Sequence, residues 1–290
     1  MNLTLALRLG RISNLPTVWT NVLVGALLAG GSLADPRLPP LMLALSLFYV
    51  GGMFLNDAFD REFDAIHRPE RPIPSGQVSA REVFVIGFGL LAIGMAAVAL
   101  AGRGPDGTPA WRACASSAAL AAAVVFYDAY HKGNPLSPLI MGLCRVFVVV
   151  TAAYSLAAAL PIAVVLAATA LLCHLIGLTY IAKQEHLDRI GNLWPLGLLA
   201  VPLLYGLVLA LSAPVAWVPL VLYAGVLIFA MNLLRRRARG DVPRAVVTLI
   251  AAMSLLDGIV LAAGMHLLPA ALAIAAFALT LALQKWVSGT

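Results

Sequence analysis

Residues 41–64 read LMLALSLFYVGGMFLNDAFDREFD, an apolar run of about membrane-crossing length that passes directly into a group of acids. A bilayer core of roughly 30 Å needs about 20 consecutive apolar residues in a helix. The run is continuously apolar and rich in Leu, Gly and Ala, so it predicts a transmembrane helix rather than a barrel strand. The acids would then lie where this helix leaves the membrane.

Similar apolar stretches recur along nearly the whole chain. We predict ten, near residues 12–33, 41–58, 83–101, 110–130, 138–158, 161–182, 194–212, 215–234, 244–265 and 268–286. The expected fold is therefore all-α, a polytopic membrane bundle of nine or ten transmembrane helices around a central cavity. Residues 1–290 are expected to form a single transmembrane domain.

Composition excludes a soluble globular class. Of the 290 residues, 62% are hydrophobic and only 11% are charged, which is more apolar material than a soluble domain of this size buries. The three cysteines, Cys114, Cys144 and Cys173, fall on separate predicted helices without paired spacing. They indicate neither a zinc site nor a disulfide framework.

The basic residues are distributed unevenly between the two predicted membrane faces. Only Arg37, Arg103 and Arg112 lie on one face, and the other sixteen Lys and Arg residues lie on the face that holds the N-terminus. The positive-inside rule then places both termini in the cytoplasm of a multi-pass protein, expected in a bacterial inner membrane. The net charge of +6 is explained by topology beside anionic membrane lipid and indicates no nucleic-acid partner.

The acidic segment after the second helix has the spacing of a metal site. If the helix continues at about 100° per residue, Asp57, Asp60 and Asp64 fall within an arc of roughly 60°. Carboxylates that close repel one another unless a cation lies between them, and hard oxygen ligands suit Mg²⁺ bridging to substrate phosphates. Asn56 adds a neutral oxygen ligand.

Two arginines follow the acids closely enough to bind the same ligand. Arg68 and Arg71 can neutralise phosphate oxygens through forked hydrogen bonds, so the segment indicates a diphosphate site. Composition alone supports equally well a group of solvated charges on a cytoplasmic loop.

The motif Asn-Asp-x-x-Asp-x-x-x-Asp at residues 56–64, followed by Arg-Pro-Glu-Arg-Pro-Ile-Pro-Ser-Gly at 68–76, resembles the first signature of the UbiA family of intramembrane prenyltransferases. Further similarity covers Arg11 to Thr17 and Tyr127 to Lys132. The resemblance implies an isoprenoid diphosphate donor, Mg²⁺ and a lipid-facing tunnel. It implies that the catalytic residues are Asp57, Asp60, Asp64 and Lys132, with Lys132 reaching the diphosphate and Tyr127 bordering the pocket at an imperfect spacing.

A second acidic segment departs from the family pattern. The family usually has two acids four residues apart, whereas here Glu185 and Asp188 are three apart and Gln184 stands at the expected position. Positions three apart still share a helical face, so the two acids can ligate one Mg²⁺, with Lys183 and Arg189 binding phosphate. A surface loop with an intrahelical ion pair is the alternative.

Polar residues also occur inside apolar stretches, where they are costly and usually face a cavity or a partner. Asn21 is a candidate acceptor-binding residue, and Arg145 is a candidate for internal pairing, as is Asp257. Hydrogen bonds between helices explain all three equally well.

The resulting hypothesis is Mg²⁺-dependent transfer of a prenyl group from an isoprenoid diphosphate to an unidentified aromatic, small polar or lipid acceptor. Two alternatives stay open. A transferase that uses another activated diphosphate, such as a phosphoribosyl donor, fits the same motif. A secondary transporter would also have many helices and Gly/Pro interruptions, but its polar residues should lie near the bilayer midplane.

Overall fold

The computed structural model describes residues 1–102, 110–183 and 194–287. In these ranges the chain is all α-helical, with short 3-10 turns at Ile12–Asn14, Trp194–Leu199 and Pro214–Ala216. The α-helices are α1 (Leu3–Leu9), α2 (Leu15–Leu28), α3 (Leu38–Phe59), α4 (Arg61–His67), α5 (Ala80–Ala101), α6 (Trp111–Tyr130), α7 (Ser137–Tyr154), α8 (Ile162–Lys183), α9 (Ala200–Ser212), α10 (Trp217–Arg236), α11 (Asp241–Ala263) and α12 (Leu267–Leu283).

The ten apolar stretches of the sequence all form helices, so the predicted fold class is confirmed. Over the described ranges, seven helices are long and apolar enough to cross a membrane, and three apolar helices are shorter, at Ile12–Leu28, Leu196–Ser212 and Leu267–Leu283. The protein is an integral, multi-pass membrane protein.

Helix α11 lies at the centre of the bundle. In its apolar stretch 83% of the residues are buried inside the protein, compared with 28% for α5 at the periphery. It packs against α2, α8, α9, α10 and α12, and α2 in turn packs against α7. A helix that is buried inside the protein has few lipid contacts. It can therefore carry polar residues that would be costly in lipid.

Small residues bring the helices close together. A side-chain carbon added to Gly25 of α2 would overlap the carbonyl oxygen of Val149 in α7 and would lie 2.9 Å from Cβ of Ala152. Such close approach of backbones is a usual basis of helix association in membranes. Lipid is as apolar as the side chains, so the hydrophobic effect does not drive the helices together and van der Waals packing must do so.

We expect Gly25→Ala to destabilise the folded protein by about 1–3 kcal/mol, because the added methyl group would have to displace the backbone of α7. Gly89 of α5 is the matched control, since a side-chain carbon there meets no atom within 4 Å of the described chain. Thermal unfolding in detergent should show a lower Tm for Gly25→Ala only. Equal melting temperatures for the two variants would contradict close α2–α7 packing.

The helical hydrogen bonding of α3 continues into α4, as the sequence predicts. The amide of Asp60 donates to the carbonyl of Asn56 at 3.0 Å, and the amide of Asp64 donates to the carbonyl of Asp60 at 2.8 Å. The acidic segment is therefore a short helical extension at the end of a membrane helix.

The N-terminal and C-terminal apolar helices meet at this same end of the bundle. The side-chain amide of Gln284, after α12, donates to Oδ1 of Asn14, before α2, at 2.7 Å. Arg11, three residues earlier, reaches the acidic segment itself. The described ranges contain ten apolar helices, and an even number of them places the start of the first and the end of the last on the same side of the bundle.

Candidate functional site

A cavity of about 300 Å³ lies among α2, α3, α6, α7, α8 and α11. Most of its wall is apolar, and includes Phe48, Leu120, Val148, Leu175, Ile250 and Met253. An apolar cavity with a few polar groups is the usual form of a small-molecule site.

The polar part of the cavity wall adjoins the acidic segment. Asn56, Arg68 and Tyr127, three of the predicted site residues, line it, together with Asp128 and His131. The side-chain amide of Asn56 donates to Oδ1 of Asp128 at 3.1 Å, which ties the end of α3 to the end of α6. This end of the cavity is therefore polar, and the apolar part of the wall is suited to a hydrocarbon.

Two of the predicted carboxylates converge on a single cationic nitrogen. Nη1 of Arg71 lies 3.1 Å from Oδ1 of Asp57 and 3.1 Å from Oδ2 of Asp64. Nη2 of Arg11 lies 3.2 Å from the same Asp57 oxygen and 3.3 Å from Oδ1 of Asn56. All five residues are largely buried, so these are strong, charge-assisted contacts.

Asp60 has different partners. Nζ of Lys132 lies 3.1 Å from its Oδ2, and Nε2 of His131 lies 3.6 Å from its Oδ1. Burial lowers the pKa of His131, so the ring is uncharged at neutral pH and Lys132 is the cation that neutralises Asp60. The ammonium of Lys132 also lies 3.3 Å from the ring centre of Phe63, a cation–π contact that fixes it over α4.

The carboxylates are thus arranged differently from the single three-carboxylate cluster that the helical spacing predicts. Across the described residues, no group of three or more His, Cys, Asp or Glu side chains is placed to hold a metal ion. The oxygen ligands instead meet in pairs: those of Asp57 and Asp64 meet at an Arg71 nitrogen, and those of Asn56 and Asp57 meet at an Arg11 nitrogen. Positive charge at these points is required because three adjacent carboxylates repel one another unless a cation lies between them.

This ion-paired set is balanced in charge. Asp57, Asp60 and Asp64 are neutralised by three permanent cations, Arg11, Arg71 and Lys132. A diphosphate that entered here would bring several negative charges, and these three cations are already paired with carboxylates. Additional positive charge would be needed, because unpaired buried charge is very costly.

The oxygen atoms present fit a hard divalent cation. Mg²⁺ usually binds one or two protein carboxylates and completes its shell with water and substrate phosphates, so the Asp57–Asp64 pair supplies as many ligands as it requires. The Arg71 nitrogen that both carboxylates contact marks the point where positive charge is favoured. The described residues therefore offer a pair of carboxylates with oxygen atoms of the kind that Mg²⁺ binds.

Other predicted residues lie elsewhere. Asn21 is fully buried between helices and is not one of the residues that line the cavity. Nζ of Lys183 donates to the carbonyl of Asn134 at 2.7 Å and to the hydroxyl of Ser137 at 2.8 Å, which fastens the end of α8 to the start of α7. Glu185, Asp188 and Arg189 lie outside the described residues.

The sequence analysis did not identify Arg11 and Asp128 as site residues. Arg11 has a left-handed backbone, with φ of 42°, which costs free energy in a residue other than Gly and is common at functional sites. Oδ2 of Asp128 is buried and has no hydrogen-bond partner in the described chain. The available signals were an arginine beside the first helix and an acid four residues before Lys132.

A model of the UbiA prenyltransferase family matches residues 18–247 of the chain. A digeranylgeranylglyceryl phosphate synthase of Methanopyrus kandleri is 34% identical over 148 residues, which cover 49% of this chain and 51% of the relative. The chain therefore aligns with about half the length of that curated relative.

Two solved structures show a similar fold. One concerns digeranylgeranylglyceryl phosphate synthase in membranes; its TM-score is 0.63 at 19% identity, and the match covers 90% of this chain and 98% of that chain. The other is a UbiA homologue of Archaeoglobus fulgidus bound to DMAPP and Mg²⁺; its TM-score is 0.52 at 15% identity, covering 96% of this chain and 98% of that chain. At these identities the similarity concerns the fold.

Proposed function

Because the chain belongs to the UbiA prenyltransferase family, we propose that it transfers a prenyl group from an isoprenoid diphosphate to an acceptor inside the membrane, with Mg²⁺. The observation that carries this proposal is the convergence of buried carboxylates and basic groups beside a largely apolar cavity. The names of the relatives also support it, since they are digeranylgeranylglyceryl phosphate synthases and a homologue solved with DMAPP and Mg²⁺.

The proposed metal ligands are Asn56, Asp57, Asp60 and Asp64. Bound there, Mg²⁺ would supply the positive charge that stabilises a departing diphosphate. Asn56 and Asp57 share one cationic partner, and Asp57 and Asp64 share another, so Asp57 contributes to both points.

Basic side chains would exchange their carboxylate partners for phosphate oxygens when the donor binds. Arg68 faces the cavity, and Arg71 and Lys132 each hold a carboxylate beside it. Arginine presents two parallel N–H groups to phosphate, and the lysine ammonium acts as a point charge. These three residues are the proposed diphosphate ligands.

The apolar wall would hold the prenyl chain and exclude water. In the transfer, the allylic carbon–oxygen bond breaks and its electron pair leaves with the diphosphate. The acceptor then supplies the electron pair of the new bond and releases a proton. Exclusion of water protects the allylic carbon from hydrolysis, and Tyr127 borders this part of the wall.

The second acidic segment remains a proposal on its sequence. Glu185 and Asp188 would ligate a further Mg²⁺, and Arg189 would bind phosphate. The contacts of Lys183 with the α6–α7 connection favour a positioning role, in which it holds the end of α8 near the site.

The charge asymmetry supports a location in the cell membrane with both termini in the cytoplasm, so that the donor enters from the cytoplasmic side. The named relatives are archaeal, so the proposal covers the cell membrane of a prokaryote and does not choose a bacterial one. The acceptor is left as a small aromatic, polar or lipid molecule, and we propose that residues 1–290 act as one domain.

A transfer assay tests the proposal directly. Membranes that contain the overproduced protein are incubated with labelled geranylgeranyl diphosphate and an extract of small molecules and lipids. We expect a labelled product that forms with Mg²⁺, disappears when the metal is chelated by EDTA, and is absent from membranes without the protein. Metal addition after chelation should restore it.

Failure of this assay separates the alternatives. Product formation from a labelled phosphoribosyl diphosphate, and none from the prenyl donor, would favour the other activated donor. Uptake of solute into vesicles without any transfer would favour a transporter. Unchanged transfer in excess EDTA would contradict the magnesium-dependent mechanism.

A further inference from the structure

Arg145 is a buried cation deep in the cavity. It is the ninth residue of α7, which places it about 12 Å along the helix axis from Ser137. Its exposed fraction is 8%, and it forms part of the cavity wall. A charge at this depth in a membrane protein is costly and usually marks a functional group with a partner.

Asn21 and Asp257 hold Arg145 in place. Nη1 of Arg145 donates to Oδ1 of Asn21 at 3.3 Å, and Nδ2 of Asn21 donates to Oδ2 of Asp257 at 2.7 Å. The guanidinium also lies over the ring of Tyr49, 5.1 Å from its centre. Side chains of three helices, Asn21 of α2, Asp257 of α11 and Tyr49 of α3, therefore fix the direction in which Arg145 faces the cavity.

The charge of Arg145 is only indirectly compensated. Asp257 contacts Asn21, and no carboxylate oxygen of the described residues lies within 4.0 Å of the Arg145 nitrogens. A guanidinium carries five N–H donors, and within the described part of the chain Arg145 uses one of them in a hydrogen bond. An anion in the cavity would provide the missing partner.

The donor diphosphate is not the natural partner, because it belongs at the other end of the cavity. Tyr49 lies beside Arg145 and is seven residues before Asn56 on α3, which separates them by about 10 Å along the helix axis. The hydroxyl of Tyr49 donates to the carbonyl of Arg11 at 3.3 Å, so Tyr49 lies between the two basic groups.

We propose that Arg145 binds an anionic group of the acceptor, a carboxylate or a phosphate, and that Asn21 and Asp257 are positioning residues for it. This inference rests on the proposed prenyl transfer. With the diphosphate at the Asn56 end and the acceptor anion at the Arg145 end, the acceptor nucleophile lies between them, where the allylic carbon of the donor must be. The fork of Arg145 matches both carboxylate and phosphate.

Matched pairs of probes test this proposal in purified protein with Mg²⁺ and geranylgeranyl thiolodiphosphate bound. One pair is 4-hydroxybenzoate and its neutral amide, and the other is geranylgeranylglyceryl phosphate and its dephosphorylated alcohol. We expect the protein to bind the anionic member of at least one pair about tenfold or more tightly than the neutral member. The preferred pair distinguishes a carboxylate acceptor from a phosphate one.

Arg145→Gln should abolish this preference and leave the Kd of the thiolodiphosphate within about twofold of the wild-type value. Arg145→Lys, which keeps the charge and loses the fork, should retain part of the preference. It also serves as the second variant if Arg145→Gln fails to fold, and the melting temperature of each variant is measured first.

Three results would overturn the inference. They are equal binding of charged and neutral probes by the wild type, an unchanged preference in a folded Arg145→Gln protein, and a loss of thiolodiphosphate binding in that variant. The last would place Arg145 in the donor site. Failure of the wild type to bind thiolodiphosphate would instead contradict the proposed function itself.

Discussion

Asp57→Asn should reduce prenyl transfer by about a hundredfold or more in protein that is inserted and folded. Oδ1 of Asp57 contacts both Arg11 and Arg71, so this oxygen belongs to both of the places where a divalent cation is proposed to bind. Asparagine has nearly the same shape and hydropathy, so the change removes one negative charge and little else. Initial rates of product formation at saturating donor, with Mg²⁺ varied, measure the effect.

Glu62→Gln is the matched control for this prediction. Glu62 lies five residues away on the adjoining helix α4, its side chain is 85% exposed, and its partner is the neighbouring Arg61. Glu62→Gln therefore removes the same charge as Asp57→Asn, at a position outside the proposed site. A wild-type rate in Asp57→Asn, or an equal loss in both variants, would contradict the assignment of Asp57 as a metal ligand.

Arg71→Gln should weaken donor binding about tenfold or more and should also destabilise the protein in the absence of Mg²⁺. Removal of its guanidinium leaves Asp57 and Asp64 buried together without the cation that now separates them. Breaking a buried pair in this way typically costs about 3–5 kcal/mol. Mg²⁺ should take the vacated position, so added Mg²⁺ should raise the Tm of this variant more than that of the wild type.

Arg61→Gln gives the comparison for Arg71. Arg61 lies ten residues earlier, at the start of α4, and its ion pair with Glu62 is at the surface, with side chains 40% and 85% exposed. Its loss should therefore change the Tm little and make the Tm no more sensitive to Mg²⁺. If Mg²⁺ shifts the Tm of Arg71→Gln no more than that of Arg61→Gln, no divalent cation binds between Asp57 and Asp64.

The fold was predictable because the bilayer imposes one simple requirement on each segment. Apolar length alone locates all ten apolar helices, including α2, α9 and α12, which are shorter than a full crossing. Continuation of α3 through Asp60 into Asp64 was predictable for a similar reason, since nothing in residues 56–67 interrupts helical hydrogen bonding. These are properties of sequence near each residue.

The partners of the site residues were not predictable, because they are far apart in sequence. Spacing places Asp60 on one face with Asp57 and Asp64, but Asp60 pairs with Lys132, which follows α6, and not with the cation that joins the other two. Asn21 was a candidate acceptor ligand, yet it is buried and its hydrogen-bond partners are Arg145 and Asp257. These partners are 124 and 236 residues away from it in sequence. Arg145 reaches the cavity because Asn21 and Tyr49 support it there, which no periodicity indicates.

The most direct measurement of the central claim is the affinity of detergent-purified protein for geranylgeranyl thiolodiphosphate, with Mg²⁺ and with EDTA. It compares the wild type, Asp57→Asn/Asp60→Asn and Glu62→Gln. We expect tight binding to the wild type and to Glu62→Gln that is lost in EDTA, and weak binding to the double variant in both conditions. Equal binding to all three proteins, or binding that is unchanged by EDTA, would contradict a magnesium-dependent diphosphate site at the acidic segment.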